Sequence, residues 1–203
     1  MKNILISIRP QWVEKILNGE KTIEIRKTMP KQELPCKVYI YCTATTHTFA
    51  KELLYDCIGC MGNMKRFLLL NKTNSNMINF SNLPLLNGKI VAEFTLNEIK
   101  EYEFELWDDD TFESIGEVYY DEETGEREVD ILETDWEIED AKCIKESCLN
   151  IHQLREYLGK GISSCYAWQI DNLKIYETPK KLSEFICRKP LKYPPQNWCY
   201  VEK

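Results

Sequence analysis

Histidine is scarce: the chain of 203 residues has two, His47 and His152. That argues against Cys–His nucleophilic catalysis and an imidazole-built metal centre. The H-x-E and P-C-x-x-C pairing of zinc deaminases is missing, as is a glycine-rich loop of the kind that cradles phosphates. Long apolar runs are also lacking. No stretch approaches the roughly 20 apolar residues that cross a bilayer. The opening MKNILISIRP carries one lysine and too short an apolar run for a secretory leader. A cytoplasmic chain without membrane contact is the expectation.

Cysteine, by contrast, is plentiful. Nine is an odd number, and a chain this long does not need disulfide staples, so reduced thiols are the simplest reading. Cys57 and Cys60 have zinc-knuckle spacing but no second C-x-x-C partner; Cys143 with Cys148, or Cys187 with Cys199, would have to complete a site across space. The expectation is no metal and no cofactor.

A surplus of positive charge is missing too, since the formal net charge is −7. At face value this disfavours nucleic acid, whose affinity for proteins comes from Lys and Arg. The charge is unevenly distributed, however. Residues 1–100 carry 14 basic and 8 acidic side chains, residues 101–142 carry 2 and 19, and residues 143–203 carry 10 and 6. A basic scaffold is therefore interrupted by one acidic segment, which reads as a nucleic-acid mimic, a shield against nonspecific RNA, or a solvated appendage.

At 43 % hydrophobic and 29 % charged, the chain fits a single domain over 1–203, with insertions at about 43–87 and 101–142. Ile4 to Ile8 reads as a strand meeting Arg9-Pro10, and Trp12, Val13, Ile16 and Leu17 form a helical stripe closed by Asn18-Gly19. Lys21 to Lys27 alternates, with Ile23 and Ile25 on one face and Thr22, Glu24 and Arg26 on the other. Further strands are expected at Lys37 to Cys42, from Gly88 through GKIVAEFTLNEI, and at Cys165 to Tyr176. A hairpin is expected around Glu-Glu-Thr-Gly, with arms at Val118 to Tyr120 and Glu128 to Ile131, and a helix at Asn150 to Leu158. The tail from residue 188 reads as extended. Strands predominate, which predicts an α+β fold: a small mixed β-barrel with flanking helices and an acidic insertion.

The polar face of Thr22, Glu24 and Arg26, with Lys21 at its mouth, points either to solvent as paired surface charges or into a cleft. In a cleft, this set can recognise a base edge and its phosphate together. An exposed aromatic there would stack on a base for about 1–3 kcal/mol; Trp12, Tyr39, Tyr41, Tyr166, Trp168 and Trp198 fall on or beside the expected elements.

The order of SIRP, QWVEKILNG and EKTIEIRK, then KVYIYCT, GKIVAEFTL and CYAWQI, resembles an ASCH domain of the PUA-like superfamily. Gly19, Lys21, Glu24 and Arg26 match that family's Gly-x-Lys-x-x-x-x-Arg run, with its frequent Glu. The resemblance implies a small β-barrel and a cleft for RNA, nucleotides or modified nucleosides, and because CYAWQI resembles the late strand that faces this cleft, Trp168 is the preferred stacking residue. One bacterial branch is an amidohydrolase acting on N4-acetylcytidine through a Lys and a Thr of this run and a more distant Glu. Lys21 falls on the Lys, but Glu24 stands where the nucleophilic Thr would be, and Thr22 matches a neighbouring Thr. Glu93 lies on a strand and is not assigned to the distant Glu. A carboxylate at 24 suits general-base work on water better than attack on an amide, and Arg26 could steady an oxyanion or phosphate.

Three functions follow as expectations. The first is an RNA- or nucleotide-binding module using Ser7, Lys21, Thr22, Glu24, Arg26 and Trp168. The second is a hydrolase, acting on a modified nucleoside or as a ribonuclease, with Lys21 and Glu24 as the central pair. The third is an interaction protein working through the acidic segment. No sequence feature sets the oligomeric state.

Overall fold

A computed structural model describes residues 2–44, 86, 88–106, 111–187 and 189–202. Most of the expected insertion at 43–87, with His47, Cys57 and Cys60, lies outside the described residues. The chain divides into two compact units: Met1–Gly19, Pro35–Thr95 and Asp171–Lys203 form the first, and Glu20–Leu34 and Leu96–Ile170 the second.

The first unit is built on a mixed sheet. Its strands are β1 (Asn3–Ile8), β3 (Cys36–Cys42), β4 (Lys89–Leu96), β9 (Asp171–Lys180) and β12 (Trp198–Val201), in the order β12-β1-β3-β4-β9. β1 runs parallel to β3 and antiparallel to β12. Helix α1 (Pro10–Asn18) follows β1, with proline in its first turn and Gly19 ending it at φ 76°, a left-handed conformation that costs glycine nothing. Its buried face is Pro10, Val13, Ile16 and Leu17, close to the expected stripe. Leu5, Tyr39, Tyr41, Ile90, Tyr176 and Phe185 form one apolar cluster of this unit. A two-stranded ribbon, β10 (Ile186–Cys187) with β11 (Lys189–Pro190), lies in the same unit.

The second unit holds an antiparallel sheet in the order β2-β8-β5-β6-β7: β2 (Ile23–Arg26), β5 (Ile99–Leu106), β6 (Phe112–Tyr120), β7 (Arg127–Thr134) and β8 (Ser164–Gln169). Helices α2 (Lys142–Ser147) and α3 (Ile151–Leu158) supply its other apolar elements. One face of the sheet is core: Ile23 and Ile25, Cys165 and Ala167, Tyr102 and Phe104, and Ile115 pack with Ile144, Leu154 and Leu158. The acidic segment therefore opens as a strand. In EYEFEL, Tyr102 and Phe104 are buried while the glutamates alternate to the other face.

The expected hairpin is present with longer arms, β6 and β7. Its turn is pinned by Asp121, whose Oδ1 accepts from the backbone N–H groups of Glu123 (3.0 Å) and Thr124 (2.7 Å), with Gly125 at φ 70°. Asn150 caps α3 reciprocally with Gln153.

Two expectations need correction. Among the described residues the sheets do not close into a barrel; one ends in β12 and β9, the other in β2 and β7. Closure needs edge strands to meet with matched tilt and shear, and alternation of side chains marks strands without naming their partners. The stretch CYAWQIDNLKIY is also not one strand. It breaks at Ile170 into β8 and β9, which belong to different sheets, and Asn172 just beyond sits at φ 48°. Among the described residues no helix is long and apolar enough to cross a membrane.

Candidate functional site

The face of β2 opposite the core carries Glu24 and Arg26, as the alternation predicts. In register, Glu24 lies opposite Trp168 and Arg26 opposite Tyr166 on β8, and the second row continues through Glu101, Val118 and Val129 across all the strands of the sheet. Cross-strand partners share a face. At the β2 end this face is buried: Lys21 is 3 % exposed, Glu24 7 %, Arg26 6 % and Trp168 0 %.

The three charges form one cluster. Glu24 Oε2 is 3.2 Å from Lys21 Nζ, and Glu24 Oε1 is 2.8 Å from an Arg26 guanidinium nitrogen. One carboxylate thus faces two basic side chains. The short spacing from Lys21 to Glu24, with Arg26 two residues further on, lets all three meet without a distant element.

What fixes Lys21 comes from far along the chain. Its ammonium donates to the Ser147 carbonyl at 2.7 Å, at the C-terminus of α2. The Thr22 backbone N–H donates to the Glu146 carbonyl at 3.0 Å, and Thr22 Oγ1 donates to Glu146 Oε2 at 3.1 Å. The last carbonyls of a helix lack intrahelical donors, so the two residues just before β2 cap α2 with a cation and a backbone amide. Cys148, at φ 56°, turns the chain out of α2, and its thiol donates to the Glu20 carbonyl at 3.4 Å. From α3, Tyr157 carries Lys27 over its ring at 5.3 Å. Burial pushes the Tyr157 hydroxyl up; Arg26 opposes that and Glu24 reinforces it.

Burial also governs Lys21. Loss of hydration lowers its pKa from the ordinary 10.5, and Glu24, by charge and hydrogen bond, offsets only part of this. A lysine eased towards its neutral amine beside a carboxylate can exchange a proton with it. The flanking cations can also hold an anion, or let the carboxylate accept from a ligand.

The other expected site residues lie as follows. Trp168 backs Glu24, and being fully buried it offers no ring face for stacking in this conformation. Ser7 belongs to the first unit, where its hydroxyl donates to the Pro195 carbonyl at 2.6 Å. Glu93, also in that unit, accepts from Lys37 at 3.0 Å and from the Tyr176 hydroxyl. Sequence reasoning missed Glu146, Ser147 and Tyr157. Among the described residues, no three His, Cys, Asp or Glu gather as metal ligands. Burial pushes the Cys42 and Cys143 thiols up to about 12, far from thiolate reactivity.

Two sheets of this topology, with a short helix after the first strand, place the chain in the fold class of solved ASCH domain structures. Among solved structures the chain is similar to ASCH from Zymomonas mobilis, with a TM-score of 0.54 at 16 % identity, over 100 % of this chain and 89 % of that one. Two point variants of that protein, a Tyr-to-Phe and a Ser-to-Ala, give TM-scores of 0.53 at 16 % identity over 100 % of this chain and 92 % and 89 % of theirs. At that identity the likeness is one of fold. No protein-family model matches the sequence, and no curated protein matches it.

Proposed function

We propose that the second unit carries a binding site for RNA or a nucleotide-like ligand, centred on Lys21, Thr22, Glu24 and Arg26 and backed by Trp168. The observation that carries this reading is the buried cluster of Lys21, Glu24 and Arg26. Burying charges costs several kcal/mol per ion, and well-packed apolar residues would serve stability as well or better. A desolvated cluster with a perturbed lysine is therefore better explained by a ligand than by the fold. A phosphate would compete with Glu24 for Arg26 and Lys21. A base edge with paired donors would use the lone pairs that Glu24 keeps after serving both cations.

The test is binding of nucleoside monophosphates and short single-stranded RNA. Two neutralised phosphates give a slope of log affinity on log salt of about −1.4. Lys21→Ala and Arg26→Ala each weaken binding about tenfold or more; unchanged affinity in both refutes the reading.

The lowered pKa of Lys21 favours a second reading, a hydrolase in which Lys21 and Glu24 move the proton of an attacking water. It requires turnover of N4-acetylcytidine, or RNA cleavage, that disappears in Lys21→Ala and in Glu24→Gln. A wild-type chain that turns over neither removes it.

A further inference from the structure

The far end of the same sheet has a different character. β7 is an edge strand: among the described residues it pairs with β6 on one side and with no strand on the other. All its residues but Glu133 are exposed. An unpaired edge of eight residues is a template for another strand. The hairpin also concentrates exposed apolar side chains. Tyr120 is 60 % exposed, Ile131 48 % and Val129 36 %, and Tyr119 and Leu132 join them. Val129 and Ile131 lie over Gly116, where an added Cβ would be 3.1 Å from the Asp130 carbonyl. Val129 and Ile131 thus share one face of the hairpin with Tyr120.

Charge decides the occupant. Glu126, Glu128 and Asp130 stand on or beside this edge, and its one cation, Arg127, is already held at 2.6 Å from Glu103 and 3.6 Å from Glu101. A nucleic acid would be repelled. A second copy of β7 would bring the same carboxylates face to face. We propose that the outer edge of β7 accepts an extended, basic polypeptide as a sixth strand, with alternating Lys or Arg against these carboxylates and apolar residues against Val129 and Ile131. Backbone hydrogen bonds hold such an added strand, and the alternation selects it. This surface is independent of the proposed ligand site at Lys21.

The probe is a synthetic peptide of about ten residues alternating Lys with Val and Ile. Its affinity for the full chain is measured by calorimetry, and β7 amide protection by hydrogen exchange. The expected result is binding that protects alternate β7 amides and weakens at least about tenfold in Asp130→Lys and severalfold in Ile131→Ser, with both variants folded by circular dichroism. Four results overturn the proposal: no binding at about 1 mM peptide; equal binding of a peptide of the same composition with its lysines in one block; reversible dimerisation of the chain through β7; or single-stranded RNA that competes for the hairpin.

Discussion

Replacing Glu24 with glutamine should destabilise the second unit far more than replacing Lys21 with methionine, although both remove one charge from the same cluster. Glu24 faces Lys21 at 3.2 Å and Arg26 at 2.8 Å, so Glu24→Gln leaves two buried cations without a counter-charge. Unit charges about 4 Å apart interact by about 4 kcal/mol at an effective dielectric of 20, and breaking a buried pair costs about 3–5 kcal/mol. Lys21→Met instead leaves the neutral pair of Glu24 and Arg26. It forfeits the bond to the Ser147 carbonyl, worth about 1–3 kcal/mol, while relieving the desolvation that lowers the lysine pKa. The net effect should lie within about 1 kcal/mol of wild type. Urea unfolding at neutral pH measures both.

The sign of the pH dependence is fixed as well. A lysine whose folded pKa lies below 10.5 binds fewer protons when folded, so its contribution to stability is complete above 10.5 and is lost as pH falls through the folded value. In Glu24→Gln that folded value drops further, so the penalty should shrink as pH rises towards 10.5. Salt should change neither difference much, because buried pairs are poorly screened. A Glu24→Gln cost equal to or smaller than that of Lys21→Met would refute the reasoning.

Other outcomes follow from the same structure. Asn150→Ala removes the acceptor for the Gln153 amide at the start of α3 and should cost about 1 kcal/mol in chemical denaturation, with Asn150→Gly milder. Gly116→Ala drives a methyl into Val129 Cγ1 and against the Asp130 carbonyl; it should cost about 1–3 kcal/mol and raise hydrogen exchange in β7 first. In the first unit, burial pushes the Glu93 carboxyl up, but Tyr176 and Lys37 overcome this and hold it below its ordinary 4.5. Its stabilising contribution is therefore present above 4.5 and lost as pH falls through the folded value. Glu93→Gln should flatten the acid limb of the stability curve, and an unchanged limb would count against the pairing.

Much of the site's local geometry was legible in the sequence. Ile23 and Ile25 against Thr22, Glu24 and Arg26 is a period of two, and the structure places Ile23 and Ile25 opposite Glu24 and Arg26 on β2. What fixes Lys21 was not legible. Ser147 lies 126 residues away in a helix of six, too short to show a helical stripe. The acidic segment misled for another reason. Counting charge hid the alternation of Tyr102 and Phe104 with glutamates, which makes β5 an inner strand of its sheet. Trp168 was expected to stack because CYAWQI resembles a cleft-facing strand, yet burial is a tertiary property, and opposite Glu24 it has no exposed face.

The proposed site depends on Lys21 as a desolvated charge that a phosphate would meet. The most direct measurement is an NMR titration of the Lys21 ammonium, with and without nucleoside monophosphate or short RNA. The account predicts a pKa below 10.5 in the free protein and a rise when ligand binds, as its phosphate favours the charged form. A lysine that titrates at 10.5 and is unmoved by either ligand would contradict it.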